Sequence, residues 1–159
     1  MKLDLRPSLA AYLKNKWRIS VGVAIDFTLS NQEFENPKSN HFQSGRDTDM
    51  NPYEKAIFEV GSVLEHYTYD KKFHLQGFGG QPSYCDDPSE NAQTSFCWNL
   101  NGKPYLNLLD AKVSGTGGML SYYQKAVTMT EFRGPTYFLE TLKRFLYIVK
   151  REQEMIDFC

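Results

Sequence analysis

The sequence predicts an α/β domain, and three segments carry that prediction. The run from Ile19 to Ile25 is apolar on both faces and rich in β-branched residues, which suits a central strand covered on both sides by helices. From Pro52 to Tyr67 the residues Tyr53, Ala56, Ile57, Val60 and Leu64 recur at three-and-four spacing and mark a helix with one buried face. Phe73 to Gly80 then reads as a short strand running into a glycine turn.

Ahead of the first strand, Pro7 to Lys16 reads as a short amphipathic helix or turn with Leu9, Tyr12 and Leu13 on one side. Gln32 to Asn51 is polar, holds Pro37 and Gly45, and predicts a long surface loop, a feature that compact domains reserve for function or mobility. Within it, Asp47-Thr48-Asp49-Met50-Asn51 imitates the start of a calcium-binding loop. Pro52 stands where that loop needs Gly and Phe58 where it needs its closing Glu, so Asn51-Pro52 is read instead as a helix start. Thr94 to Leu100 has the composition of another strand, expected to pair antiparallel with the Phe73 strand across a long connection. Gly115 to Gly118 opens a further helix through Met119, Tyr122, Tyr123 and Ala126. The loop Glu131 to Thr136 precedes a last helix, expected to turn Phe138, Leu142, Phe145, Leu146 and Val149 inward and to continue as a solvated end from Lys150 to Asp157.

At 159 residues the chain is expected to form one domain, with the 41% hydrophobic and 23% charged content of a soluble globular protein. A formal net charge of −1 gives no footprint for nucleic acid and no acidic solvating tail. Met1 to Lys16 forms no signal-peptide core, and no apolar stretch approaches the roughly 20 residues that span a bilayer. Cys85, Cys97 and Cys159 are odd in number, widely spaced and without a CxxC, which fits reduced thiols of a cytoplasmic protein better than a disulfide frame or a zinc site.

The chemistry concentrates where the first strand ends, in Asp26-Phe27-Thr28-Leu29-Ser30. Period-two alternation points Asp26, Thr28 and Ser30 the same way, and one carboxylate with two hydroxyls makes an oxygen-only set suited to Mg²⁺ or Mn²⁺. An ordinary turn after a strand would use the same residue types. His41, His66 and His74 are candidates for a general base, yet none lies in a nucleophile motif. Gly77 to Gly80 and Gly115 to Gly118 lack the ending of a phosphate loop and read as tight turns. No catalytic residue is assigned, and the alternative class is a nucleotide-dependent or other enzyme working in a cleft at the sheet's carboxyl edge.

The order of Val23-Ala24-Ile25-Asp26-Phe27-Thr28-Leu29-Ser30-Asn31, Ser39-Asn40-His41-Phe42, Asn51-Pro52-Tyr53-Glu54-Lys55-Ala56-Ile57, Val60-Gly61-Ser62-Val63-Leu64, Tyr69-Asp70-Lys71-Lys72-Phe73, Gly77-Phe78-Gly79 and Arg133-Gly134-Pro135-Thr136-Tyr137-Phe138 resembles the von Willebrand factor A-type domain of the copine family over nearly the whole chain. The resemblance implies a doubly wound, Rossmann-like sheet with flanking helices and a metal-ion-dependent adhesion site at its carboxyl edge. Asp26, Thr28 and Ser30 would belong to its first metal loop and Thr136 to its second. An Asp that such domains supply from a third loop, after a fourth strand, has no counterpart, so residues 1–159 would form a domain incomplete on its C-terminal side. The C2 domains that attach copines to membranes have no counterpart either, so no direct membrane binding is expected. Gln32 stands where the pattern expects a small residue, and Glu33 to Asn36 make the rim more acidic.

A sheet cut before its fourth strand leaves Ile19 to Phe27 with an unpaired edge, an arrangement that native proteins cover. Each buried backbone group left unpaired costs on the order of 1–3 kcal/mol, so several would rival a domain's stability of roughly 5–15 kcal/mol. A protein partner is therefore expected to pair with this strand: a second polypeptide completing the domain, a second copy, or another subunit of a larger assembly; the alternative is that these residues are an excerpt of a longer protein whose own continuation covers the edge. The expected function is a non-enzymatic interaction or scaffold module.

Overall fold

A computed structural model describes residues 8–15, 18–44, 49–104 and 111–157. Its elements are helix α1 (Leu9–Lys14), strand β1 (Ile19–Asp26), helix α2 (Pro52–Leu64), strands β2 (Thr68–Phe78) and β3 (Gly80–Pro82), helix α3 (Pro88–Asn91), strands β4 (Trp98–Asn99) and β5 (Lys112–Ser114), helix α4 (Gly115–Thr128), strand β6 (Thr130–Phe132) and helix α5 (Leu139–Asp157). The fold is α/β as the sequence predicts, with a mixed sheet and helices on both faces.

β1 runs parallel to β2, Val21 to Asp26 lying in register with Phe73 to Phe78. Extra residues of β2 bulge out between Thr68 and Phe73, where Lys71 takes a positive φ of 54°. The other edge of β2 carries two short antiparallel pieces: β4 opposite Gln76 and Gly77, and β5 opposite Lys72 to His74. The expected pairing of the Trp98 segment with β2 is present, but only two residues long. β3 and β6 form a small second sheet that the sequence pattern did not announce.

Alternation along β1 divides its side chains between two layers. Val21, Val23 and Ile25 join Ile57, Phe73, Leu75, Met119 and Tyr123 in the core beneath α2 and α4. On the opposite face, Gly22 lies under the ring of Phe145 on α5, and a Cβ there would run into that ring. α2 starts as Asn51-Pro52 predicts: Asn51 Oδ1 accepts from Glu54 N at 2.9 Å, Glu54 Oε2 accepts from Asn51 N at 2.9 Å, and Pro52 opens the first turn. At the start of α4, Glu65 Oε2 accepts from both the N–H and the hydroxyl of Thr116, each at 2.9 Å, and these bonds hold its carboxyl below the usual range.

α5 is pinned by its far end. Glu152 Oε1 lies 2.6 Å from Lys112 Nζ and 3.0 Å from His74 Nε2, and Lys112 also reaches Asp70 at 3.0 Å. Burial alone would raise the Glu152 carboxyl, but bonds from His74, Lys112 and Ser20 outweigh it and hold the group at about 2. The end from Lys150 onward is thus tied to the sheet through Glu152 and is not solvated throughout.

The face that α5 buries corrects the sequence expectation. Thr141, Arg144 and Ile148 are the buried positions and Phe145 is half-buried, whereas Phe138, Leu142, Leu146 and Val149 are 55–63% exposed. α2 shows a smaller departure of the same kind, with Ile57 buried but Val60 and Ala56 exposed. Periodicity identified an apolar stripe on each helix; it carried no information on which neighbour covers the stripe.

A Cβ at Gly77 would come within 2.5 Å of the Trp98 ring at the β2–β4 contact. Gly77→Ala is expected to destabilise the chain by about 1–3 kcal/mol in urea unfolding, as overpacking a core does.

Candidate functional site

The carboxyl end of β1 folds back on itself through short bonds. Asp26 Oδ1 accepts from Thr28 N at 2.8 Å, and the Thr28 and Ser30 hydroxyls are 2.9 Å apart. Thr28 is buried and Ser30 exposed, so the group presents oxygens outward from a fixed base. Leu29 N donates to Arg133 O at 2.6 Å, which sets the loop after β6 alongside the first. Thr136 stands exposed on that second loop, three residues beyond Arg133. The structure therefore gathers Asp26, Thr28 and Ser30 into one bonded group and brings the Thr136 loop next to it.

In kind this donor set fits a hard divalent ion, since every candidate ligand is an oxygen. In charge it is thin, one carboxylate with hydroxyls, and among the described residues no three His, Cys, Asp or Glu side chains cluster to hold a metal. Gln32 closes the first loop with φ 62° and ψ 156°, a conformation that favours glycine, which gives a backbone reason for the small residue the pattern expects there. Next to it, Leu29, Gln32, Glu33, Glu35 and Asn36 surround an open hollow with an acidic rim.

The backbone of Asp26 is held as firmly as its side chain. Its carbonyl accepts from His41 Nε2 at 2.8 Å, Asn31 Nδ2 at 3.2 Å and Tyr53 OH at 3.5 Å. A carbonyl only accepts, so Nε2 is assigned the proton, and Nδ1 lies 2.9 Å from the Tyr123 hydroxyl, whose one proton is shared between Nδ1 and Asn51 Oδ1 at 3.2 Å. The fully buried imidazole stacks on Tyr53 at 4.0 Å and lies edge-on to Phe132 at 5.0 Å. Burial pushes His41 down to about 4, against smaller opposing effects of Asp26, and raises Tyr53 to about 12. His41, a candidate base by sequence, is an anchor that ties the polar loop to the end of β1. His66 is exposed on Ser62 O at 2.8 Å, and His74 is engaged by Glu152.

β1 has a partner strand on one side only among the described residues. Phe27 N bonds to Phe78 O at 2.9 Å, so alternation turns the odd-numbered backbone groups of β1 toward β2. The N–H and C=O groups of Ser20, Gly22 and Ala24 point the other way, to the open edge, and Ser20 and Gly22 are exposed. Asp26 follows them in that series, and its carbonyl is the one that His41, Asn31 and Tyr53 cap. A cleft of about 310 Å³ lies at the carboxyl end of the β1–β2 pair, lined by Ala24 and Asp26 of β1, Phe78 of β2, Tyr53 of α2, and Phe138, Thr141, Leu142 and Phe145 at the start of α5. Val60 lies two turns along α2 from Tyr53 on the same side, and Leu146 and Val149 continue the line of Leu142 along α5. The open edge is therefore flanked on both faces by apolar side chains, a feature legible in the sequence only as helical periodicity.

An α/β domain with an oxygen-rich loop at the carboxyl end of a parallel strand is consistent with part of a von Willebrand factor A-like domain. The chain belongs to the copine family: the profile described as Copine matches residues 40–158. That span includes Thr136 and His41, and Asp26, Thr28 and Ser30 lie ahead of it. The chain is similar to Protein BONZAI 1 and Protein BONZAI 2 of Arabidopsis thaliana, 37% and 39% identical over 129 residues, covering 80% of this chain and 20% of each relative. It is also 29% identical over 157 residues to Nicotinic receptor-associated protein 1 of Caenorhabditis briggsae, covering 98% of this chain and 22% of that relative. It spans about a fifth of the length of these curated relatives.

Two outcomes follow. Because the folded pKa of His41 lies near 4 and its ordinary value is 6.5, its stabilisation is complete above about pH 6.5 and lost as pH falls toward 4. Glu90, raised to about 7 by burial and then by Asp87, acts with the opposite sign, losing its contribution as pH rises from 4.5 through 7. The difference isolates the histidine: His41→Phe is expected to cost about 1–3 kcal/mol at pH 7 and progressively less toward pH 4.5 by urea unfolding. Gln32→Gly is expected to stabilise the chain by about 1 kcal/mol in the same measurement.

Proposed function

We propose that this chain is a non-enzymatic protein-interaction module of copine type, completed along the open edge of β1 by a protein partner within a larger assembly. The observation that carries the proposal is the combination at that edge: backbone groups of Ser20, Gly22 and Ala24 directed outward, with apolar residues of α2 and α5 on either face. Open backbone donors and acceptors offer a template for another strand, and apolar flanks offer a surface to a folded partner around it.

Asp26, Thr28 and Ser30, joined by Thr136 from the second loop, would hold Mg²⁺ or Mn²⁺ at the end of that edge, with a partner carboxylate supplying the charge this chain lacks. The ion would bridge two proteins and leave this chain's residues to position it. The state of the histidines supports a non-enzymatic role, since both nitrogens of His41 are engaged in holding Asp26 and Tyr123, and His74 is held by Glu152. Among the described residues no helix is long and apolar enough to cross a membrane. Cytoplasmic residence belongs to the same proposal, supported by the free thiols of Cys85 and Cys97.

Amide hydrogen exchange tests the module. In a dilute monomer the N–H groups of Ser20, Gly22 and Ala24 are expected to exchange fast and those of Val21, Val23 and Ile25 slowly, with assembly slowing the first set. Protection of the first set in a verified monomer would show that the edge is already covered. Titration calorimetry with Mg²⁺ tests the ion: heat is expected from the assembled protein and lost in Asp26→Ala, and equal heats would remove the site.

A further inference from the structure

We propose that α3 and the residues around it, Tyr84 to Gln93, form a pH-sensitive latch, shut while the Glu90 carboxyl carries its proton and released as that carboxyl ionises. The latch lies within the chain, apart from the β1 edge and the oxygen cluster, and depends on neither. Asn91 ties the segment to itself: its Oδ1 accepts from Cys85 N at 3.0 Å and its Nδ2 donates to Cys85 O at 2.9 Å. Two bonds fasten it to the rest of the fold, Gln81 Nε2 donating to Asn91 O at 3.0 Å and Asp86 N donating to Gly102 O at 2.8 Å. α3 has only four residues, too few for a helix to persist without such support.

Within this frame Glu90 is half-buried, and its Oε2 is fully enclosed with no hydrogen-bond partner. A neutral carboxyl tolerates that place, whereas a carboxylate there is a charge without donors. Burial raises the Glu90 carboxyl to about 7, Asp87 adds to the rise, and the buried guanidinium of Arg144 on α5 opposes it. Asp87 is held ionised by the N–H and hydroxyl of Ser89, at 2.9 and 2.7 Å, and Asp86 is turned to Lys103 at 3.1 Å. The other ionisable groups facing Glu90 are Tyr84, Cys85 and Cys97; burial pushes the tyrosine up and both thiols to about 12, so all three stay neutral. The attraction of Arg144 is thus outweighed by burial and Asp87, and an ionised Glu90 gains by reaching water.

The direction follows from the two states of one group. Exposed to water the carboxyl ionises near 4.5, and shut in the latch near 7. The stability that its proton gives the shut form is complete below 4.5, falls as pH rises through 7 and is spent above it. The constant for opening the latch is therefore expected to grow roughly fifty- to a hundredfold between pH 5 and pH 8, and then to level off. Opening breaks the bonds of Asn91 and uncovers the buried Cys85.

Amide hydrogen exchange on the full chain at pH 5 and pH 8, corrected for the intrinsic effect of pH on exchange, tests the latch. The reporters are the N–H groups of Cys85 and Glu90, bonded to Asn91 Oδ1 and Asp87 O, and the references are those of Phe27 and Leu100, bonded to strand β2. The reporters are expected to exchange faster than the references and without response to dilute urea, the mark of local opening. Their opening constant is expected to rise with pH as above in the wild type and to stay level in Glu90→Gln, a neutral side chain of similar shape. Asp87→Asn, which keeps the acceptor for Ser89, is expected to shrink the rise severalfold and not abolish it. Reporters that respond to pH alike in wild type and Glu90→Gln, or that do not respond in either, overturn the proposal. Reporters that exchange only as fast as the references, with the same dependence on urea, also overturn it, since Glu90 then bears on the stability of the whole fold and gates no local opening.

Discussion

The parallel seam between β1 and β2, Val21 to Asp26 against Phe73 to Phe78, sets the position of every functional feature in this fold. By pairing on one side it commits the odd backbone groups of β1 inward and leaves Ser20, Gly22 and Ala24 facing out. By alternation it also assigns Ile25 to the core under α2 and α4, and Gly22 to the contact with α5. The Asp26 loop is then the end of a fixed strand, and His41 stops the ladder there by taking the carbonyl that would otherwise continue it.

The energetics of this arrangement divide unevenly. Backbone groups at the open edge are wet where Ser20 and Gly22 are exposed, so leaving them unpaired in an isolated chain costs little. The flanking side chains contribute more: Leu142, Leu146, Val149 and Val60 each remain more than half exposed, and their burial in a complex gains roughly 25 cal/mol per Å² removed from water. In the proposed complex, sheet extension would fix where the partner sits, and the two helices would supply most of the driving force. The buried ion group of Glu152, Lys112, His74 and Asp70 matters because it holds α5 in place with its apolar stripe outward.

Much of this was legible in the sequence, and the gaps have physical causes. β1 was readable because a strand buried on both faces leaves a continuous apolar run, and the start of α2 because Asn51 and Pro52 act locally. The burial of α5 was misread because an amphipathic pattern shows that an apolar face exists and not what meets it; here Thr141, Arg144 and Ile148 are the buried positions and the leucines stay outside. β3 and β6, three residues each, are too short to carry a period and form only because the fold brings them together. The role of His41 lay beyond sequence for a similar reason, since its partners Asp26 and Tyr123 are distant in the chain. Of the oxygen cluster, Asp26, Thr28 and Ser30 could be grouped by spacing alone, whereas the approach of the Thr136 loop depends on the contact between Leu29 and Arg133.

The central claim is that the open side of β1 is an unfinished sheet edge built to receive a strand. A crystal structure of the protein in its assembled state tests it most directly, through what lies beside Ser20, Gly22 and Ala24. The account predicts a neighbouring strand about 4.8 Å away, hydrogen-bonded to those residues and ending at Asp26, with the α5 stripe buried against the same partner. An assembled structure in which that edge faces solvent and the α5 stripe stays exposed would contradict it.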